Sequence, residues 1–141
     1  EFNARFGDPE TQVVLALLES SPSALLYAAA TGGLAAQPPL RWRSGSAVTV
    51  VIAAAGYPAA PRTGDVILGA DQDGVIHAGT RRRDDGALLS AGGRVLSVTA
   101  TGVTLSAARA AAYARVATVD VPDGQYRTDI AALAAENGIR I

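Results

Sequence analysis

Pro38-Pro39 divides this chain into two kinds of sequence, and that division constrains the fold more than any other feature. Before it, apolar residues recur at helical spacing; after it, they come in β-branched runs cut by short turns. In "FGDPETQVVLALLES", Asp8 suits an N-cap and Pro9 the first helical position, with Val13, Val14, Leu17 and Leu18 at helical spacing. "SPSALLYAAATGG" repeats the formula: Ser21 caps, Pro22 follows, Leu25, Leu26, Ala29 and Ala30 share a face, and Gly32-Gly33 ends the helix. Beyond the prolines, strands are expected at 46–55, 65–70, 74–80, 87–90 and 93–102, with "DQDG" and "RDDG" as hairpin turns. A helix over 104–119, capped by Thr104, would bury Leu105, Ala108, Ala112 and Val116 against the sheet. A last helix is expected to start at Asp129 as N-cap and close at Asn137-Gly138. The class is α+β: a strand and helix pair in 1–37, then a β-rich antiparallel domain with one long helix in 38–141.

The size, 141 residues, allows a real core. No apolar run is long enough to cross a bilayer and no secretory leader is visible, so no membrane partner is expected and the cytoplasm is the expected location. With no cysteine, disulfides, thiolate metal sites and cysteine nucleophiles are excluded. A net charge of −1 supplies no basic field for nucleic acid. Arg81-Arg82-Arg83 is followed at once by Asp84-Asp85-Gly86, which reads as a solvated charged turn.

The chemistry concentrates in the first residues. In "EFNARF", Glu1, Asn3 and Arg5 would project from one side of a strand, and Phe2, Ala4 and Phe6 from the other. A carboxylate and an amide oxygen two residues apart suit magnesium, which takes few protein ligands and completes its shell with water and phosphate oxygens. Arg5 can fork to a carboxylate or phosphate beside it. Taken bare, the spacing also fits a solvated polar strand face.

The surrounding motifs decide between the two. "EFNARFGDPETQ", "LLES", "RW", "AAAGYP", "GDVI", "HAGT", "AGGRVLSVTATG", the Ala run before "AYARV", and "YRTDIA" occur in that order along essentially the whole chain. Together they resemble the C-terminal part of the glycinamide ribonucleotide synthetases, or phosphoribosylamine–glycine ligases. The resemblance implies the end of an ATP-grasp domain followed by a small β-rich domain like the rudiment single hybrid motif of biotin carboxylases. It implies a reaction in which ATP drives the joining of glycine and 5-phosphoribosylamine, through glycyl phosphate, to glycinamide ribonucleotide in purine synthesis. By the family's motif, Glu1 and Asn3 would ligate magnesium or manganese, and Arg5 and Asp8 would line the substrate side. Arg94 is a candidate for reaching toward the nucleotide, and no residue of this stretch is expected to act as a catalytic nucleophile or base.

The resemblance also implies a chain that begins mid-enzyme. Its partners would include the N-terminal portion of the same enzyme, without which it is expected to be inactive, and the complete enzyme is expected to be monomeric. Two departures from the family pattern are Ala16, where a proline is usual, and "DIA" at 129–131, where "DIG" is common. Competing readings are a freestanding β-rich binding module and a fragment of a carboxylase-type ATP-grasp enzyme, against which "RFGDPE" argues.

Other residues read as structure. His77, in "VIHAGT", fits packing or one internal hydrogen bond. Gly92-Gly93 fits a tight turn better than a phosphate loop, since no helix follows to supply a dipole. Trp42 fits a strand edge, and the carboxylate pairs Asp71/Asp73 and Asp84/Asp85 fit turn chemistry.

Overall fold

The computed structural model describes residues 5–137. Two long strands, β1 (Ser46–Ala53) and β5 (Arg94–Gly102), pair antiparallel, and β2 (Val75–His77) joins the other side of β5. β5 is therefore the central strand of a sheet ordered β1-β5-β2. Its burial is continuous rather than alternating because it is covered on both faces: residues 95–100 are all buried, the polar Ser97 and Thr99 among them. Thr49 and Thr99, directly opposite in the register, satisfy each other inside this core through hydroxyls 2.8 Å apart. β3 (Thr80–Arg82) and β4 (Leu88–Ser90) form a separate two-stranded hairpin around "RDDG".

The long helix follows its sequence signals. The Thr104 hydroxyl accepts the Ala107 N–H at 3.1 Å, and α3 runs from Leu105 to Val116. Ala108, Ala112 and Val116 are buried, and their small size lets the helix lie close on β1 and β5. In α2 (Pro22–Ala30) the Ser21 hydroxyl accepts the Ala24 N–H, and Gly32 ends the helix at φ 74. The first helix, α1 (Glu10–Leu17), packs against β1 and β5, and the segment after it bonds Leu17 O and Glu19 N to the backbone around Trp42.

Five expectations are corrected. The Asp8 carboxylate does not cap α1, which starts at Glu10; it is held by side chains of Gln12 and Arg94 instead. Residues 65–70 make no continuous strand, because Ile67 donates to Leu88 while Leu68 donates to Asp120, two partners on different parts of the fold. The run 74–80 splits into β2 and β3 at Ala78-Gly79, where the chain leaves β5 and crosses to β4. The turn at 71–74 therefore joins segments that do not pair with each other. Finally, Asp129 spends its carboxylate on Arg127 at 2.5–2.8 Å, and α4 (Ala132–Asn137) begins after it; Gly138 lies outside the described residues.

Candidate functional site

The segment Arg5–Pro9 leads into α1 and carries the described part of the expected substrate side. Arg5 is exposed and donates to the Phe6 carbonyl at 3.0 Å. Phe6 is 65% exposed and belongs to no strand, so the strand alternation expected of "EFNARF" does not hold at residues 5 and 6. Asp8 is the best-held residue of the segment. Its Oδ1 accepts from Gln12 Nε2 at 2.8 Å, its Oδ2 lies 3.3 Å from Arg94 Nη2, and its backbone carbonyl accepts from Arg94 Nη1 at 2.9 Å.

Arg94 can do this because it starts β5 from a rigid corner. The Gly93 carbonyl accepts from Ala54 N at 2.8 Å, and the Arg94 carbonyl accepts from Gly79 N at 2.9 Å. A Cβ at position 93 would lie 2.5 Å from Tyr57 Cδ2, so the turn closes this tightly only with glycine. The next residues, Val95 and Leu96, are fully buried. Gly92-Gly93 thus serves as the β4–β5 connection, as expected for a turn.

Two grooves flank the pair. The larger, about 980 Å³, is lined by Phe6, Asp8, Gln12, Arg43, Asp73 and Arg115 among others. The smaller, about 420 Å³, is lined by Pro9, Tyr57, Arg94, Tyr126 and Arg127 among others. Asp8 belongs to the first and Arg94 to the second, so the ion pair links them. Arg115 is anchored to the Thr99 carbonyl at 2.6 Å. Gln12 Oε1 is shielded from solvent with no hydrogen-bond partner, its amide being turned so that the nitrogen faces Asp8. Gln12 closes the quoted "GDPETQ" run, yet its role as Asp8's partner could be read only from the turn that brings residues four apart together.

The expected metal ligands, Glu1 and Asn3, lie outside the described residues. Among the described residues no group of three or more histidines or acids is placed to hold a metal ion. His77 is exposed, with Nδ1 3.2 Å from Thr80 Oγ1, the single internal hydrogen bond expected of it. Of the charged turn, Arg83 pairs within it with Asp85 at 2.6 Å, and Arg82 reaches Asp71 of the 71–74 turn at 2.8 Å. Asp85 also accepts the Ala87 N–H, and the Arg83 hydrogen bond, ahead of that one, lowers its pKa to about 2. Trp42 is half-exposed, bridged to Leu18. No described helix is long and apolar enough to cross a membrane.

Residues 47–133 match the family described as phosphoribosylglycinamide synthetase, C domain. Over all 141 residues the chain is 61% identical to proteins named phosphoribosylamine–glycine ligase from Mycobacterium bovis and Mycobacterium tuberculosis. A Streptomyces coelicolor protein of the same name is 59% identical, with 96% of this chain covered and 34% of its own length. The chain spans about a third of the length of these relatives, 33% for the mycobacterial ones. The crystal structure of phosphoribosylamine–glycine ligase from Thermotoga maritima superposes with a TM-score of 0.75 at 38% identity, covering 92% of this chain and 32% of that one. The mixed arrangement of small antiparallel sheets and helices is therefore that of the matching part of the neighbour.

Proposed function

Because the chain belongs to the phosphoribosylglycinamide synthetase family, matched over its C domain, we propose that it forms the C-terminal third of an ATP-dependent ligase joining glycine to 5-phosphoribosylamine. The observation that carries this reading is identity of 61% along the entire chain to relatives that bear the ligase name. In this reading residues 1–37 end the ATP-grasp domain, residues 38–141 form the C domain, and the remainder of the enzyme supplies the adenine pocket.

The reaction proceeds in two balanced steps. A glycine carboxylate oxygen attacks the γ-phosphorus of ATP, the bond to the β-bridging oxygen breaks, and glycyl phosphate and ADP result. The amine of phosphoribosylamine then attacks the acyl carbon, phosphate leaves with the electron pair of the C–O bond, and the amine's proton is lost to solvent. Neither step needs a covalent bond to the protein, so the chain's residues act by binding and orientation.

The first donors, Glu1 and Asn3, have the hard-oxygen chemistry that suits magnesium or manganese. When bound, the cation neutralises charge on the phosphate oxygens. Arg5 is the nearest described cation to those donors in sequence, and its planar fork suits a phosphate or carboxylate. Asp8 offers a fixed carboxylate to an amine, a group both glycine and phosphoribosylamine carry. The expected proximity of Arg94 to the nucleotide enters this reading only through its hold on Asp8.

The test is ADP release by the complete polypeptide that carries these residues. Release that requires both glycine and phosphoribosylamine supports the reading. Release driven by bicarbonate, or indifferent to glycine, would turn the assignment toward a carboxylase-type enzyme.

A further inference from the structure

We propose that Arg94 is a positioning residue: from the rigid start of β5 it fixes the backbone and the carboxylate of Asp8 together, so that the C-terminal sheet sets the geometry of the substrate side. The inference rests on the ligase reading for its kinetic consequence, and on the described geometry for its mechanical one. One contact would locate Asp8 but leave it free to turn. Two contacts from one guanidinium, to the carbonyl at 2.9 Å and to the carboxylate at 3.3 Å, fix position and orientation at once. Gln12 takes the other carboxylate oxygen at 2.8 Å, completing a chain Arg94–Asp8–Gln12 from β5 into α1.

The pair is suited to this task rather than to holding the fold together. Its side chains are 45% and 35% exposed, and ion pairs so placed contribute little to stability. Both partners adjoin buried backbone: Arg94 is followed by two fully buried residues, and Asp8 is preceded by buried Gly7. Each carboxylate oxygen keeps a further lone pair. Braced from two sides, those lone pairs point in a set direction, which is what an amine-bearing substrate requires of its acceptor.

The experiment uses the complete polypeptide as wild type, Arg94→Ala and Arg94→Lys, reading kcat/KM for glycine and for phosphoribosylamine, the melting temperature, and amide hydrogen exchange of residues 7–12. Arg94→Ala is expected to lose on the order of ten- to a hundredfold in kcat/KM for at least one amine substrate, to melt within a few degrees of wild type, and to exchange faster at 7–12 but not in β1 or β5. Arg94→Lys is expected to recover part of the loss, because an ammonium can reach one of the two oxygens but cannot fork to both. Wild-type kcat/KM in Arg94→Ala overturns the proposal. So does a loss matched by early melting and faster exchange throughout the sheet, which would make Arg94 a fold residue. If wild type itself lacks ligase activity, the ligase reading fails separately, and the exchange of residues 7–12 alone decides whether Arg94 braces Asp8.

Discussion

Arg94 and Asp8 stand 86 residues apart in the chain and are joined twice, guanidinium to carbonyl and guanidinium to carboxylate. The connection ties the segment entering the first helix to the central strand of the sheet. Its energetic weight follows from exposure. Replacing Arg94 by Ala is expected to lower unfolding free energy by no more than about 1 kcal/mol, because water already screens a pair this accessible. Chemical denaturation checks the value; a loss several times larger would mean that the pair supports the core.

The core itself is less forgiving. Leu96 is fully buried at the centre of β5, and Leu96→Ala is expected to cost about 2–5 kcal/mol through lost burial and a residual cavity. Phe6→Ala, by contrast, is expected to change the stability of this chain by no more than about 0.5 kcal/mol, since the ring is 65% exposed. Urea midpoints of the two variants, measured side by side, test the contrast.

Ala131 sits at φ 58, in the left-handed region that disfavours any residue with a Cβ. The sequence signalled this position by its departure from the family pattern, "DIA" for "DIG". Ala131→Gly is expected to raise stability by about 1 kcal/mol or less, the relief of Cβ strain exceeding the added chain entropy of glycine. A lower melting temperature in Ala131→Gly would show that the methyl group's packing on the core outweighs the strain.

Some of the architecture was legible because its signals are local. Ser21 and Thr104 cap their helices as read, Gly32 ends one, and β1 and β5 lie where β-branched runs announce them. What was not legible depended on distant partners. Asp8 has the chemistry of a cap, yet Arg94 and Gln12 take its carboxylate; Asp129 has the same chemistry, yet Arg127 takes its own. Residues 65–70 look like one strand, but their neighbours belong to two different parts of the fold. At the site, Asp8 and Arg94 were each singled out separately, and only the fold made them a pair.

Asp85 offers a pH-dependent readout. Its pKa is lowered from 3.8 to about 2, first by the Arg83 hydrogen bond and then by the Ala87 amide. A depressed carboxylate stabilises the fold above its unfolded pKa, and that contribution fades as pH falls from about 4 toward 2. The stability difference between wild type and Asp85→Asn is therefore expected to be constant above about pH 5 and to shrink through that window. A difference unchanged at pH 2 would mean that the Arg83 contact does not act through the ionised form.

We propose that this chain is part of a phosphoribosylamine–glycine ligase whose metal is held by Glu1 and Asn3. The most direct test is simultaneous measurement of ADP and glycinamide ribonucleotide formed by the complete polypeptide across a magnesium titration, for wild type and Asn3→Ala. Wild type is expected to form the two products in equal amounts and only with both substrates present, while Asn3→Ala melts normally but needs more magnesium and turns over at least about tenfold more slowly, the effect of losing roughly 1.4 kcal/mol of transition-state stabilisation. ADP formation without glycinamide ribonucleotide, or an Asn3→Ala variant that melts early yet keeps the wild-type magnesium dependence, would contradict it.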